Sequence, residues 1–276
     1  MNYPNDYLYL ESPHINNGVS KLENKKVLFA FGDSWTNNRY IDETEKHWCY
    51  LLKEKLGYDI VLNIAGNYDS NYEIFDCVKK TLCDNDYPMK QQSYLSKLKE
   101  FKVVVDWSTP MRDSTSVAEM YSPWNTATIP NLNSKKPNTK LWLDYVDKWF
   151  RVEIYSYDTQ KRILFLQEFF NNNKIDWYMF MGFTPLVEKQ FYNTKYDLRK
   201  WIDKKRFLFL NGFPNNMQDY LITTINKDFK EDTNINEMQF ENNRLEYFCN
   251  DVFTSDGHPN IKGLKLMSDI IYEGMK

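Results

Sequence analysis

Short apolar runs alternate along this chain with longer amphipathic stretches, the pattern of strands exchanging with helices. Residues Lys26–Phe31 are almost wholly apolar and stop at Gly32-Asp33-Ser34. An uninterrupted run of that kind suits a strand covered on both faces, as in a parallel sheet. Asp42 and Glu45 then make a capping-box-like helix start. Trp48, Leu51, Leu52 and Leu56 fall on one helical face, and Gly57 stands at the C-terminal cap position. A second strand is expected at Ile60–Leu62, a helix from about Asn71 to Leu82, and a third strand at Phe101–Val105. The stretch 108–139, rich in Pro, Ser, Thr and Asn, breaks the rhythm and reads as a long excursion of the functional-loop kind. Leu141–Phe170 fits helix in one or two pieces, Trp177–Met181 a fourth strand, and Phe207–Leu210 a fifth ending at Asn211-Gly212. Pro259 suits a first helical turn, with Leu264, Met267, Ile270 and Ile271 on one face behind it. The first 24 residues read as an irregular arm. This order implies a parallel sheet with helices on both sides and a site at the carboxyl ends of the strands.

Composition narrows the picture. The chain has 276 residues, 42% of them hydrophobic and 17% aromatic, enough for one sizeable core. A formal charge of −3 gives no electrostatic reason to expect a nucleic-acid or anionic-membrane partner. The N-terminal stretch carries acidic residues and no apolar core, so no secretory signal is expected. No apolar stretch is long enough to span a membrane. Cytoplasm is therefore the expected location or, for a viral protein, the host cytoplasm or the virion. Cys49, Cys77, Cys83 and Cys249 form no CxxC pair and no cluster with the three histidines, so isolated thiols are expected rather than disulfides or a zinc site.

Two segments carry candidate chemistry. Ser34 follows a buried strand directly, where an open α/β sheet presents reactive groups, and its N–H can face an oxyanion. A helix cap is the plainer reading of Asp33 or Ser34. His258 lies in Ser255-Asp256-Gly257-His258-Pro259-Asn260, at the mouth of the last helix. A serine hydroxyl needs a base, and the base needs a group that holds its tautomer; Asp256 can supply that carboxylate. A surface turn is the plainer reading here, because Asp-Gly and His-Pro both favour turns. His47, beside Trp48, reads as structural or surface, and His14 carries no motif. Trp124, Trp142 and Trp149 can stack on sugar rings or pack a core or lid.

Taken together, the Gly32-Asp33-Ser34 and Asp256-Gly257-His258-Pro259-Asn260 segments, with Gly263 following, resemble the SGNH (GDSL-like) hydrolase superfamily. Asn63-Ile-Ala-Gly66 with Ser70-Asn71 and Ile74 is similar to its phage-type second block. Asp106-Trp107-Ser108-Thr109 with Arg112 is similar to the Trp-(Ser/Thr)-x-x-x-Arg form of its third. The resemblance spans roughly residues 26–112 and 250–276. It implies a flavodoxin-like three-layer α/β/α sandwich with a mainly five-stranded parallel sheet, as one domain over 25–276 with an inserted loop or lid at about 108–140. It also implies an ester hydrolase using Ser34, His258 and Asp256 with no metal or cofactor, acting on small acyl esters such as O-acetyl groups on a carbohydrate. The sequence departs from the pattern in three places. The position three before the histidine is Ser255, so Asp256, Ser255, a backbone carbonyl or Asp251 can orient His258. The usual oxyanion glycine falls near Tyr68 while the glycine is Gly66, leaving that role to an N–H between Gly66 and Ser70. Ser108 or Thr109 stands where the oxyanion asparagine belongs. Asn71 pins the second loop or contacts substrate, and Arg112 binds a substrate anion or anchors the long loop. An O-acyltransferase to a saccharide, or a non-catalytic phage binding or structural protein, remain as alternatives.

Overall fold

The computed structural model describes residues 7–9, 22–37, 46–65, 70–82, 95–109, 152–187, 189–210, 212–225, 251–254 and 257–276. Five parallel strands form one sheet: β1 (Tyr7–Tyr9), β2 (Lys26–Gly32), β3 (Ile60–Ala65), β4 (Glu100–Trp107) and β5 (Asp176–Met181), in the order β1-β3-β2-β4-β5. Among the described residues, five α-helices accompany them: α1 (Trp48–Leu56), α2 (Asn71–Leu82), α3 (Val152–Asn172), α4 (Met217–Ile225) and α5 (Ile261–Gly274).

Period-two alternation sorts the strand side chains into two cores. Val27, Phe29 and Phe31 pack with Val103, Val105 and Met179 against Ile74 and Val78 of α2 and Ile163, Leu166 and Phe170 of α3. Leu28 and Ala30, with Val104 and Phe180, face the other way onto Trp48 and Leu52 of α1, Leu221 of α4, and Leu264 and Met267 of α5. The result is the expected three-layer α/β/α arrangement. Both faces are covered, which explains why β2, β3 and β4 read as apolar runs.

Two expectations change. Phe207–Leu210 contributes a single parallel bridge, Met179 to Phe207, and no strand. Phe209 adopts φ 65°, a left-handed conformation that an extended strand excludes. The fifth strand comes instead from the stretch expected to be an irregular arm: Tyr7–Tyr9 pairs with Val61–Asn63 of β3. The helix α1 starts at Trp48 with His47 as its N-cap. Asp42 and Glu45, and the helical expectation for 141–151, lie outside the described residues. No described helix is long and apolar enough to cross a membrane.

Candidate active site at the carboxyl end of the central strand

The segment after β2 leads to α1 on one face, whereas α2 and α3, which follow β3 and β4, lie on the other. The carboxyl end of β2 is therefore a topological switch point, where open α/β sheets place their ligands. Ser34 sits there, 4% exposed. Asp33 shapes its turn: its carboxylate accepts from Trp35 N–H at 3.0 Å, and its carbonyl accepts from Thr36 and Asn37 N–H at 3.0 and 2.8 Å. Asp33 therefore serves as the local cap while Ser34 is left over. Among the described residues, nothing hydrogen-bonds the Ser34 hydroxyl or N–H, His258 included. Gly32 is required by close approach rather than by an unusual φ, for a Cβ there would lie 2.8 Å from Thr36 Cβ and 2.9 Å from Asp106 Cβ.

The turn is held from every side. Thr36 Oγ1 donates to Asp106 Oδ2 at 2.9 Å, Asn63 Nδ2 donates to the Thr36 carbonyl, and Asn37 Nδ2 donates to the Ala65 carbonyl at 3.4 Å. Trp48 Nε1 donates to the Trp35 carbonyl at 3.1 Å. Asn63 and Asp106, both fully buried, received no role from the sequence. The signal that marks them is a polar residue inside an otherwise apolar strand, as in IVLNIA and KVVVDW.

His258 occupies a tight loop before α5. Phe253 and Pro259 form an antiparallel bridge, and the His258 carbonyl accepts from the Thr254 N–H and hydroxyl at 2.7 and 2.9 Å. Gly257 takes φ 83°, which a side chain would strain. Asn260 caps α5 by accepting from Gly263 N–H at 3.0 Å, and a Cβ on Gly263 would collide with the Val252 carbonyl. The ring of Trp35, next to Ser34, lies 5.8 Å from Phe253 and 4.4 Å from Phe183. Because Phe253 is bridged to the neighbour of His258, these tilted ring contacts join the serine turn to the histidine loop. Asp251 is ion-paired with Lys262 at the surface. Asp256 and Ser255 lie outside the described residues, as do Gly66, Tyr68 and Arg112, the tryptophans 124, 142 and 149, and the stretch 110–151.

The second and third blocks also meet here. Ser70 and Glu73 form a capping box on α2, with Ser70 N–H donating to Glu73 Oε2 at 2.5 Å and Glu73 N–H to Ser70 Oγ at 3.3 Å. The Ser70 N–H is thereby committed to the helix start. Asn71 Nδ2 donates to the Ser108 carbonyl at 3.0 Å and to Thr159 Oγ1 at 3.3 Å, tying α2 to the end of β4 and to α3. Ser108 Oγ is buried without a hydrogen-bond partner among the described residues, and Thr109 Oγ1 accepts from Thr184 Oγ1 at 3.1 Å. His47 caps α1, its Nδ1 accepting from Cys49 N–H at 3.4 Å. Full burial lowers its pKa to about 3, against the opposing pull of the Trp35 carbonyl, so it is a neutral structural imidazole. Burial, reinforced by the charge of Asp106, pushes the Cys49 thiol well up, so it is no nucleophile. No cluster of three or more His, Cys, Asp or Glu able to hold a metal occurs among the described residues.

Several solved structures share the architecture remotely. The crystal structure of an acetyl xylan esterase is 14% identical, with a TM-score of 0.43, over 91% of this chain and 100% of that one. A lipolytic protein of the G-D-S-L family from Desulfitobacterium hafniense is 11% identical, with a TM-score of 0.34, over 90% and 98%. A member of the same family from Veillonella parvula is 12% identical, with a TM-score of 0.36, over 90% and 97%. No protein-family model and no curated protein matches the chain. At these scores, nothing about activity follows from the likenesses, and the case for the site rests on its own residues.

Proposed function

We propose that the chain is a serine ester hydrolase in which Ser34 is the nucleophile and His258 the general base. The observation that carries this reading is the tilted ring contact between Trp35 and Phe253. It sets a serine with an uncommitted hydroxyl, at the switch point of the sheet, against the loop that holds His258. His258 takes the Ser34 proton as the oxygen attacks an ester carbonyl, and an acyl-enzyme forms as the alcohol leaves with that proton. Water then attacks the acyl carbon, His258 again accepting and returning a proton. Catalytic hydrogen bonds commonly tighten only with substrate in place, so the unmade Ser34–His258 bond fits a free enzyme. Asp256 is the proposed orienting carboxylate.

The Ser34 N–H is the first oxyanion donor. With the Ser70 N–H given to Glu73, the second falls to the segment from Gly66 to Asp69, Tyr68 included. Ser108 Oγ is the proposed third donor, favoured over Thr109 because its hydroxyl has no partner among the described residues. Asn71 works as a brace for the Ser108 backbone. The substrate class is a small acyl ester, an O-acetyl group on a carbohydrate in particular, with Arg112 available to a substrate anion. Hydrolysis of p-nitrophenyl acetate tests the reading against Ser34→Ala and His258→Ala. Each variant is expected to lose at least about 10³-fold in kcat. Wild-type turnover no faster than either variant, with all three folded, discards it.

A further inference from the structure

We propose that Asp106, acting with Asn63 through Thr36, is a positioning residue for the Ser34 hydroxyl, an inference that rests on Ser34 being the nucleophile. The bonds made by Asp33 lie within the turn and fix its shape. They do not fix how the turn is tilted on the sheet. Thr36 holds that tilt on both sides of β2, beside the ties that Asn37 and Trp35 make: Asn63 of β3 donates to its carbonyl, and Asp106 of β4 accepts from its hydroxyl at 2.9 Å.

The cost of this arrangement argues for a use. A carboxylate buried behind Val103, Val104 and Val105 is expensive to desolvate, and an aliphatic residue would continue the strand without that penalty. Two glycines make room for it. A Cβ on Gly182 would lie 2.7 Å from Asp106 Oδ1, and one on Gly32 would lie 2.9 Å from Asp106 Cβ. The neighbouring strand ends have thus given up side chains around a single acid that reaches the serine turn. A charged acceptor makes the stronger and shorter bond to a hydroxyl, which suits a group whose work is to hold a geometry. Ser34 has no described partner of its own to aim it, so its hydroxyl follows the turn that Thr36 helps to hold.

The test compares Thr36→Val, Thr36→Ser and Asp106→Asn with wild type. The readouts are kcat and KM for p-nitrophenyl acetate and the rate of labelling by a fluorophosphonate, with circular dichroism to verify folding. Thr36→Val should leave KM within about twofold while kcat and the labelling rate fall by about 10²-fold, the scale of a nucleophile misplaced by an ångström. Thr36→Ser, which keeps the hydroxyl, should restore both to near wild type. Asp106→Asn keeps an acceptor of the same shape without the charge and should lose about tenfold in both rates at unchanged KM. Folded Thr36→Val with wild-type kcat and labelling overturns the proposal. If Thr36→Val does not fold, Asp106→Asn decides in the same way. Wild-type protein that takes no label removes the nucleophile and this inference together; labelled wild type with indifferent variants removes the positioning role alone.

Discussion

Acid should unfold this protein partly through one buried imidazole, and the size of the effect follows from the position of His47. Its side chain is fully buried, and its pKa is lowered from 6.5 to about 3. In the unfolded chain it titrates near the ordinary value. As the pH falls below that value, the unfolded state binds a proton that the folded state refuses until about 3, so acidification favours unfolding. The neutral ring's stability is therefore fully present above about pH 6.5 and drains away towards the folded pKa. Each pH unit inside that window costs about 1.4 kcal/mol, or roughly 2 kcal/mol between about pH 7 and pH 5. The paired carboxylates Glu100, Asp158, Asp176 and Asp197 are all held below their ordinary values, so they lose little stability above pH 5. His47→Asn keeps an N-cap acceptor for α1 and removes the titration. Urea unfolding followed by tryptophan fluorescence at the two pH values, in wild type and variant, gives the comparison. Wild type should lose about 2 kcal/mol more than the variant on acidification, whatever their absolute stabilities. Equal losses in the two proteins would refute the burial argument.

Other consequences are narrower. Phe253→Ala removes a ring that is 2% exposed from its tilted contact with Trp35 and should cost about 3 kcal/mol in urea unfolding. It should also lower kcat by freeing the histidine loop from the serine turn, and a destabilised variant with full kcat would show that the ring contact does not couple them. Gly182→Ala presses a methyl group against the Asp106 carboxylate and should destabilise by about 1–3 kcal/mol in the same assay. Glu73→Ala breaks the reciprocal capping box of α2 and should cost about 1 kcal/mol, read as a lower thermal midpoint.

The parts of the fold that burial dictates were legible in the sequence. Val27–Phe31 and Val103–Val105 had to be covered on both sides, and α2 runs from Asn71 to Leu82 as its spacing requires. Legibility failed where local chemistry was silent. Phe207–Leu210 has strand composition, yet the sequence gives no warning that Phe209 takes a positive φ; the brief Tyr7-Leu8-Tyr9-Leu10 run, of which Tyr7–Tyr9 adds to the sheet edge, is short and set among polar residues, so it does not stand out from the arm. Ser34 and His258 were readable as candidates because each follows or precedes a recognisable element. The clamp on Thr36 was not, because Asn63 and Asp106 meet it only through strand register across the sheet. His47 could be called structural from its setting, but its capping role needed the backbone of α1 to be seen.

The central claim is that Ser34 attacks acyl centres. Its most direct test is to treat the folded protein with a fluorophosphonate and locate the adduct by peptide mass spectrometry, with Ser34→Ala alongside. One adduct per chain on the peptide containing Ser34, absent from the variant and slowed by His258→Ala, is the predicted result. An unlabelled wild type, or a Ser34→Ala protein labelled as fully as wild type, would contradict it.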